Sequence, residues 1–342
     1  MFRQLIAGAT LVVVAAACSD STGPENFSAT KTEQVAAAVV GSLGSNTALQ
    51  TLDIIGASLS LSGPALAAAP FAAAEMGGDV NTTARLQSLG QAVLNFGAAS
   101  PLAIFPANLL GKTYVYNPQT SQYEIDDTRT GASSAGVRFI LYAVDPIARR
   151  IVTPLNEVGY LDLIDVSTPS ADAVQIVAVI GTITYLDYTA SAVTTTSSGS
   201  LNAAGYVSDG TDQIDFDLTF TVSQTAITAD YMLSSGAASV RLQVNLTQAG
   251  LTFVLTVTDG NETVAMTVNA DQTTVDGSIR YNGDVVVVIT GTPDNPQFSR
   301  PDGTPLTQEE ALALRALGDF FDEIFDAFDN LLIPAFLVFV LG

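Results

Sequence analysis

The chain has 342 residues, 48% of them hydrophobic, and carries 12 Lys and Arg against 34 Asp and Glu, a net charge of −22 at pH 7. It contains no histidine, which excludes Ser-His-Asp triads, Cys-His dyads and His-bearing zinc sites. So negative a field also repels nucleic acid and anionic headgroups, and with one cysteine and no disulfide a chain of this length must draw its stability from burial.

In chain order, Arg3 precedes the largely apolar run Leu5 to Val14, followed by the small residues Ala15, Ala16 and Ala17 and then Cys18, the sole cysteine. A positive start, a short apolar stretch and small residues before a cleavage point form the layout of a secretory signal. The apolar stretch is too short to span a bilayer as a helix. With Cys18 directly after the small residues, the segment resembles the lipobox of bacterial lipoproteins, although Ala15 stands where that pattern usually has Leu. The resemblance implies removal of residues 1–17, lipid on the Cys18 thiol, and a lipid-anchored protein of the bacterial cell envelope. Ser19 after the cysteine leans toward the outer membrane. The lipid on Cys18 makes the membrane a partner, and no cofactor is expected.

Residues 18–27, with Gly23-Pro24, read as a flexible tether. From 28 to 110 apolar residues recur at helical spacing, as in Val35, Val39, Val40 and Leu43, in Leu49, Leu52 and Ile55, and in Leu86, Leu89 and Leu94. Three short helices are expected, separated by Gly44, Gly63-Pro64 and Gly77-Gly78.

At Gly111 the period changes to two. Lys112 to Tyr116 and Gln122 to Ile125 predict a β-hairpin, and further strands are expected near 137–143, 151–152, 158–166, 173–180, 182–193 and 201–207. From 211 the alternation is plainest. Ile214, Phe216, Leu218, Phe220 and Val222 share one face, while Asp215, Asp217, Thr219 and Thr221 share the other. The pattern returns in 240–246, 251–257 and 264–268, with turn signals at Ala249-Gly250, Asp259-Gly260, Asp276-Gly277 and Asn282-Gly283. About a dozen strands over 111–292 are too many for one flat sheet.

Residues 293–306 read as a proline-rich linker. In 307–342 a capping box, Thr307 to Glu310, opens a C-terminal amphipathic helix with Leu314, Leu317, Phe321 and Phe325 on its apolar stripe, ending in an apolar tail. The expected fold is therefore α+β: a large curled antiparallel β-meander, half-barrel or sandwich-like, with N-terminal helices and the C-terminal helix packed on it.

Candidate chemistry is sparse. Asp209 to Asp212 and Thr258 to Glu262 offer oxygen ligands for calcium, but hairpin turns favour the same residues. The acidic residues from Asp319 to Asp329 fit a solvated helix face and lack an ion-wrapping loop. Arg149-Arg150 suits a surface pair or an acidic partner, and the Asn-x-Ser/Thr sequons are chance matches in a bacterial chain. Tyr114, Tyr116, Tyr123, Phe139 and Tyr142 cluster on the first strands, where cross-strand packing explains them better than a recognition strip.

No catalytic, cofactor-binding or metal-binding residue is assigned, and the reading is a non-enzyme: a structural or interaction lipoprotein of the cell envelope. The alternative is a periplasmic carrier of lipid or another hydrophobic ligand, because the expected sheet is similar in outline to half-barrel lipoprotein and lipid carriers, an analogy of fold only. Behind these stand an outer-membrane β-barrel and a carboxylate-based hydrolase.

Overall fold

The computed structural model describes residues 90, 93, 104–145, 150–293, 295–312, 314 and 315. Cys18, the signal-like segment, the tether, most of the expected N-terminal helices and residues 316–342 lie outside the described residues. Gly90 and Val93 are helical and buried, whereas 104–110 form bends and turns. No described helix is long and apolar enough to cross a membrane, a statement that leaves membrane-crossing strands untouched.

The described fold is mostly β. Its strands are β1 (Thr113–Asn117), β2 (Gln122–Ile125), β3 (Gly136–Tyr142), β4 (Val144–Asp145), β5 (Arg150–Ile151), β6 (Glu157–Asp165), β7 (Asp172–Ile180), β8 (Ile183–Thr194), β9 (Ser198–Ser208), β10 (Gln213–Ser223), β11 (Ala226–Ser235), β12 (Ala238–Thr247), β13 (Leu251–Asp259), β14 (Glu262–Ala270), β15 (Val275–Tyr281), β16 (Asp284–Thr292) and β17 (Asn295–Ser299). All but β4 and β5, which pair with each other, belong to one 15-stranded sheet. The chain divides into two compact units near Ser223.

In the unit that contains β1 to β10, the strand order is β10-β9-β8-β7-β6-β3-β1-β2. The strands β3, β6, β7, β8 and β9 pair antiparallel in succession, as does the hairpin β1/β2. The expectation of a purely antiparallel meander fails at one place, since β1 runs parallel to β3. Cross-strand register then explains the core. Val137 faces Leu163, which faces Ile176, which faces Tyr188; Phe139, Leu161, Ala178, Leu186 and Val207 form the next row. Every member of both rows is buried. Each fully buried Val, Leu, Ile or Phe contributes about 1.5–3 kcal/mol of transfer free energy, so such rows are the main adhesive of the unit. Helical Val93 joins them: a Cβ on Gly199 of β9 would meet its Cγ1 at 2.9 Å, so the glycine makes room for the valine.

The other unit's described strands run β17-β16-β15-β14-β13-β12-β11, each antiparallel to its chain neighbour. One buried row passes through Tyr231, Leu242, Leu255, Met266, Ile279 and Val287. The opposite face is polar, with Asp230 receiving Arg241 at 2.9 and 2.7 Å and Thr252 donating to Asn269 at 3.1 Å.

Two sequence expectations are corrected here. Asp276-Gly277 is not a turn but lies inside β15, and the connection before it is 271–274. There the Asp271 carboxylate accepts the backbone N–H groups of Thr273 and Thr274, which holds it down at about 2. Gly277 is needed for close approach, since a Cβ there would lie 2.2 Å from the Thr267 carbonyl oxygen. The segment read as a linker contains β17, so the chain adds one more strand before its helix. That helix starts where the capping box places it: Thr307 N–H donates to Glu310 at 2.7 Å, Glu310 N–H donates to Thr307 Oγ1 at 3.2 Å, and 308–312 are helical. Leu314 of the expected apolar stripe is buried.

Candidate functional site

The aromatic residues noted on the first strands pack on one another. Tyr116 and Tyr123 are register partners with ring centroids 5.6 Å apart, edge to face, while Tyr114 stacks on its partner Phe139 at 4.8 Å. Tyr123 also meets Phe139 edge-on at 5.4 Å, and Tyr116 lies 6.5 Å from Tyr142. Burial raises the Tyr114 and Tyr123 phenols above their ordinary range, and Tyr123 donates to the Ile140 carbonyl at 2.8 Å. The cluster is therefore a packed end of the apolar face. It reaches water at the half-buried Tyr114 and Tyr116 and at the edge, where Ile125, partner of Tyr114, is 42% exposed.

A second feature lies on the other face of the same strands. Alternation along β3 puts Arg138 opposite in sense to Val137 and Phe139, and Asp162 does the same between Leu161 and Leu163 on β6. Register makes Arg138 and Asp162 direct partners, and the guanidinium grips the carboxylate with two bonds of 2.6 Å. Arg138 also sits 3.7 Å from the Tyr160 ring centroid, a cation–π contact. The hydrogen bonds to Asp162 hold the Arg138 guanidinium above its usual range. Thr113, the β1 partner of Arg138, completes the group. Among the described residues the buried polar side chains are Thr113 and Asp162, and both are here. Thr113 Oγ1 is also the one buried side-chain polar atom there with no hydrogen-bond partner.

Residues 126–135 lie over this group. They carry the chain from β2 on one side of β1 to β3 on the other, and Asp126 N–H donates to the Thr113 carbonyl at 2.9 Å. A Cβ on Gly131 would come within 2.9 Å of the Arg138 guanidinium, which places this residue against it, and the φ of +106° favours glycine here. Charge fixes the segment. Arg129 pairs in a fork with Glu157, and Lys112 reaches Asp127 at 2.6 Å. Asp126 accepts from the hydroxyl and N–H of Thr128, which lowers its carboxyl, as the Arg129 hydrogen bond lowers that of Glu157.

The Arg138–Asp162 pair escaped sequence reading because the two residues are 24 positions apart and meet only through register. The available signal was a charge set between apolar neighbours in each case, Arg138 between Val137 and Phe139 and Asp162 between Leu161 and Leu163.

The sites weighed for calcium have plainer roles. Asp209 Oδ1 accepts the N–H groups of Thr211 and Asp212, both at 2.8 Å, so its carboxylate shapes the turn. Thr258 to Glu262 is the tight connection of β13 and β14, with Asp259 opposite Glu262. Among the described residues no three acidic or cysteine side chains stand close enough to hold a metal ion. Arg150 lies exposed on β5, while Arg149 and the acidic residues from Asp319 to Asp329 lie outside the described residues. The arrangement on β1, β3 and β6 can exclude water and hold opposite charges together, but it brings no nucleophile to a base. No protein-family model, curated protein or solved structure matches the chain.

Proposed function

We propose that this chain is a non-enzymatic structural or interaction lipoprotein of the bacterial cell envelope, anchored by lipid on Cys18, with its β-sheet as the folded body. The observation that carries the reading is how completely the apolar rows are withdrawn from water: Leu186, Leu201, Leu218 and Phe220 are 0% exposed. A carrier's apolar face must open to its cargo, whereas rows so buried act as a core. The carboxylates support the non-enzymatic reading, since Asp126, Asp209, Asp271 and Asp302 cap turns and Glu157, Asp162 and Asp230 hold arginines. The polar face and the negative charge suit a protein that stands apart from anionic headgroups at the end of a tether.

The test is native mass spectrometry of a soluble form lacking residues 1–18, purified from a bacterial host. The bare protein mass is the expected result. A co-purifying lipid released on denaturation would replace this reading with that of a carrier, whose curled sheet encloses its cargo. The anchor is tested separately: labelled palmitate enters the full chain and not the Cys18→Ser variant, and equal labelling of both would remove Cys18 from the account.

A further inference from the structure

We propose that residues 126–135 form an ion-latched strap that opens without unfolding the strands beneath it, uncovering Thr113, Arg138, Asp162 and Tyr160. Three observations converge on this. First, the strap has no buried side chain: Ala132 and Ser133 are half-buried, Gly131, Ser134 and Ala135 are exposed, and nothing in it is anchored in the apolar face. Second, between its ends it is tied to the rest of the unit by ion pairs, Arg129 to Glu157 and Lys112 to Asp127, while backbone bonds fix the two ends, Asp126 N–H to the Thr113 carbonyl at 2.9 Å and Asp165 N–H of β6 to the Ala135 carbonyl at 2.8 Å. Third, on the face that the strap crosses, the Thr113 hydroxyl is buried and has no hydrogen-bond partner.

These observations set two opposing terms. Closing gains ion pairs at the surface, which salt screens, and loses the hydration of one hydroxyl, which salt hardly affects. Surface pairs are weak individually and the buried hydroxyl offsets part of what they contribute, so the closed strap is favoured by only a modest margin. The strands below have no such weakness. Val137, Phe139, Leu141, Leu161 and Leu163 are buried in the apolar rows, so the surface that the strap covers stays formed when it lifts. What is uncovered is a guanidinium already braced by a carboxylate and an aromatic ring, within a chain whose net charge is −22.

The experiment is amide hydrogen exchange on the full chain, comparing 127–135 with β3 as an internal reference. Raising salt from about 0.05 M to about 1 M, where the Debye length is about 3 Å, is expected to speed exchange of the strap at least twofold relative to β3. Arg129→Gln at low salt should speed it about two- to fivefold and make it insensitive to added salt at that end. Thr113→Val keeps the shape and removes the orphan hydroxyl, so it should slow strap exchange about fivefold or more. Strap exchange that ignores salt, that is unmoved by Thr113→Val, or that rises only together with β3 would overturn the proposal. Neither the anchor nor the presence of a bound lipid enters these outcomes.

Discussion

Asp162 stands between two leucines on β6, and its tolerance there depends on one arginine. Removing the carboxylate leaves the Arg138 guanidinium half-covered and uncompensated, and loss of one partner of a buried pair costs about 3–5 kcal/mol. The side chains retain 17% and 12% exposure, so Asp162→Ala should fall at or just below that range, about 2–3 kcal/mol in urea denaturation. Replacing both, Arg138→Met with Asp162→Leu, should recover most of that loss, because an apolar pair of similar volume avoids the desolvation cost. Gly205 poses the opposite constraint. It faces Tyr188 across β8 and β9, and a Cβ would sit 2.4 Å from the tyrosine Cα and Cβ. The Tyr188 ring is fixed against Phe216 at 5.4 Å, so it cannot retreat, and Gly205→Ala should cost about 1–3 kcal/mol by the same assay. At this scale the sequence told inside from outside wherever the alternation was clean, as in Phe216 against Asp217. It could not tell which outward charges meet, because pairing is a property of register and not of either strand.

Elements defined by local chemistry were legible and those defined by distant partners were not. Asn282-Gly283 was readable as a hairpin turn, and both residues adopt positive φ, +50° and +94°. Asn282 also accepts the Thr263 N–H at 2.8 Å. Asn282→Ala should therefore cost about 1–2 kcal/mol in thermal or chemical unfolding, from left-handed strain alone, with the lost bond added. The capping box at Thr307 was equally readable, since it needs only residues three apart. Asp276-Gly277 misled because it carries the same dipeptide chemistry as a true turn. Its placement in β15 is dictated by the Thr267 carbonyl of the neighbouring strand, which a single strand's sequence does not display. The parallel pairing of β1 with β3 was hidden for the same reason. β11 is hard to read from sequence because its inward position Ala229 is too small to mark the alternation.

At the scale of the whole molecule, charge decides the response to solution conditions. With 34 acidic and 12 basic residues, self-repulsion opposes the folded state, so added salt should raise the melting temperature in differential scanning calorimetry even as it loosens the strap over β1. Acid acts the other way. The carboxyls of Asp126, Asp209, Asp230, Asp302, Glu157 and Asp271 are lowered in the folded state by the hydrogen bonds they accept. Each therefore contributes stability that is fully present above the unfolded value near 4 and is lost as pH falls through the folded value, at about 2 for Asp271. Circular dichroism should show stability declining from about pH 4 downward and flat above about pH 5.

The pairing of each strand from β11 to β17 with its immediate successor has a kinetic consequence. Each closure joins residues separated by one tight connection, so the entropy of ring closure stays small at every step and no strand waits for a distant partner. Such a run behaves as a one-dimensional array, in which order spreads from neighbour to neighbour and trimming from the β17 end removes one coupling at a time.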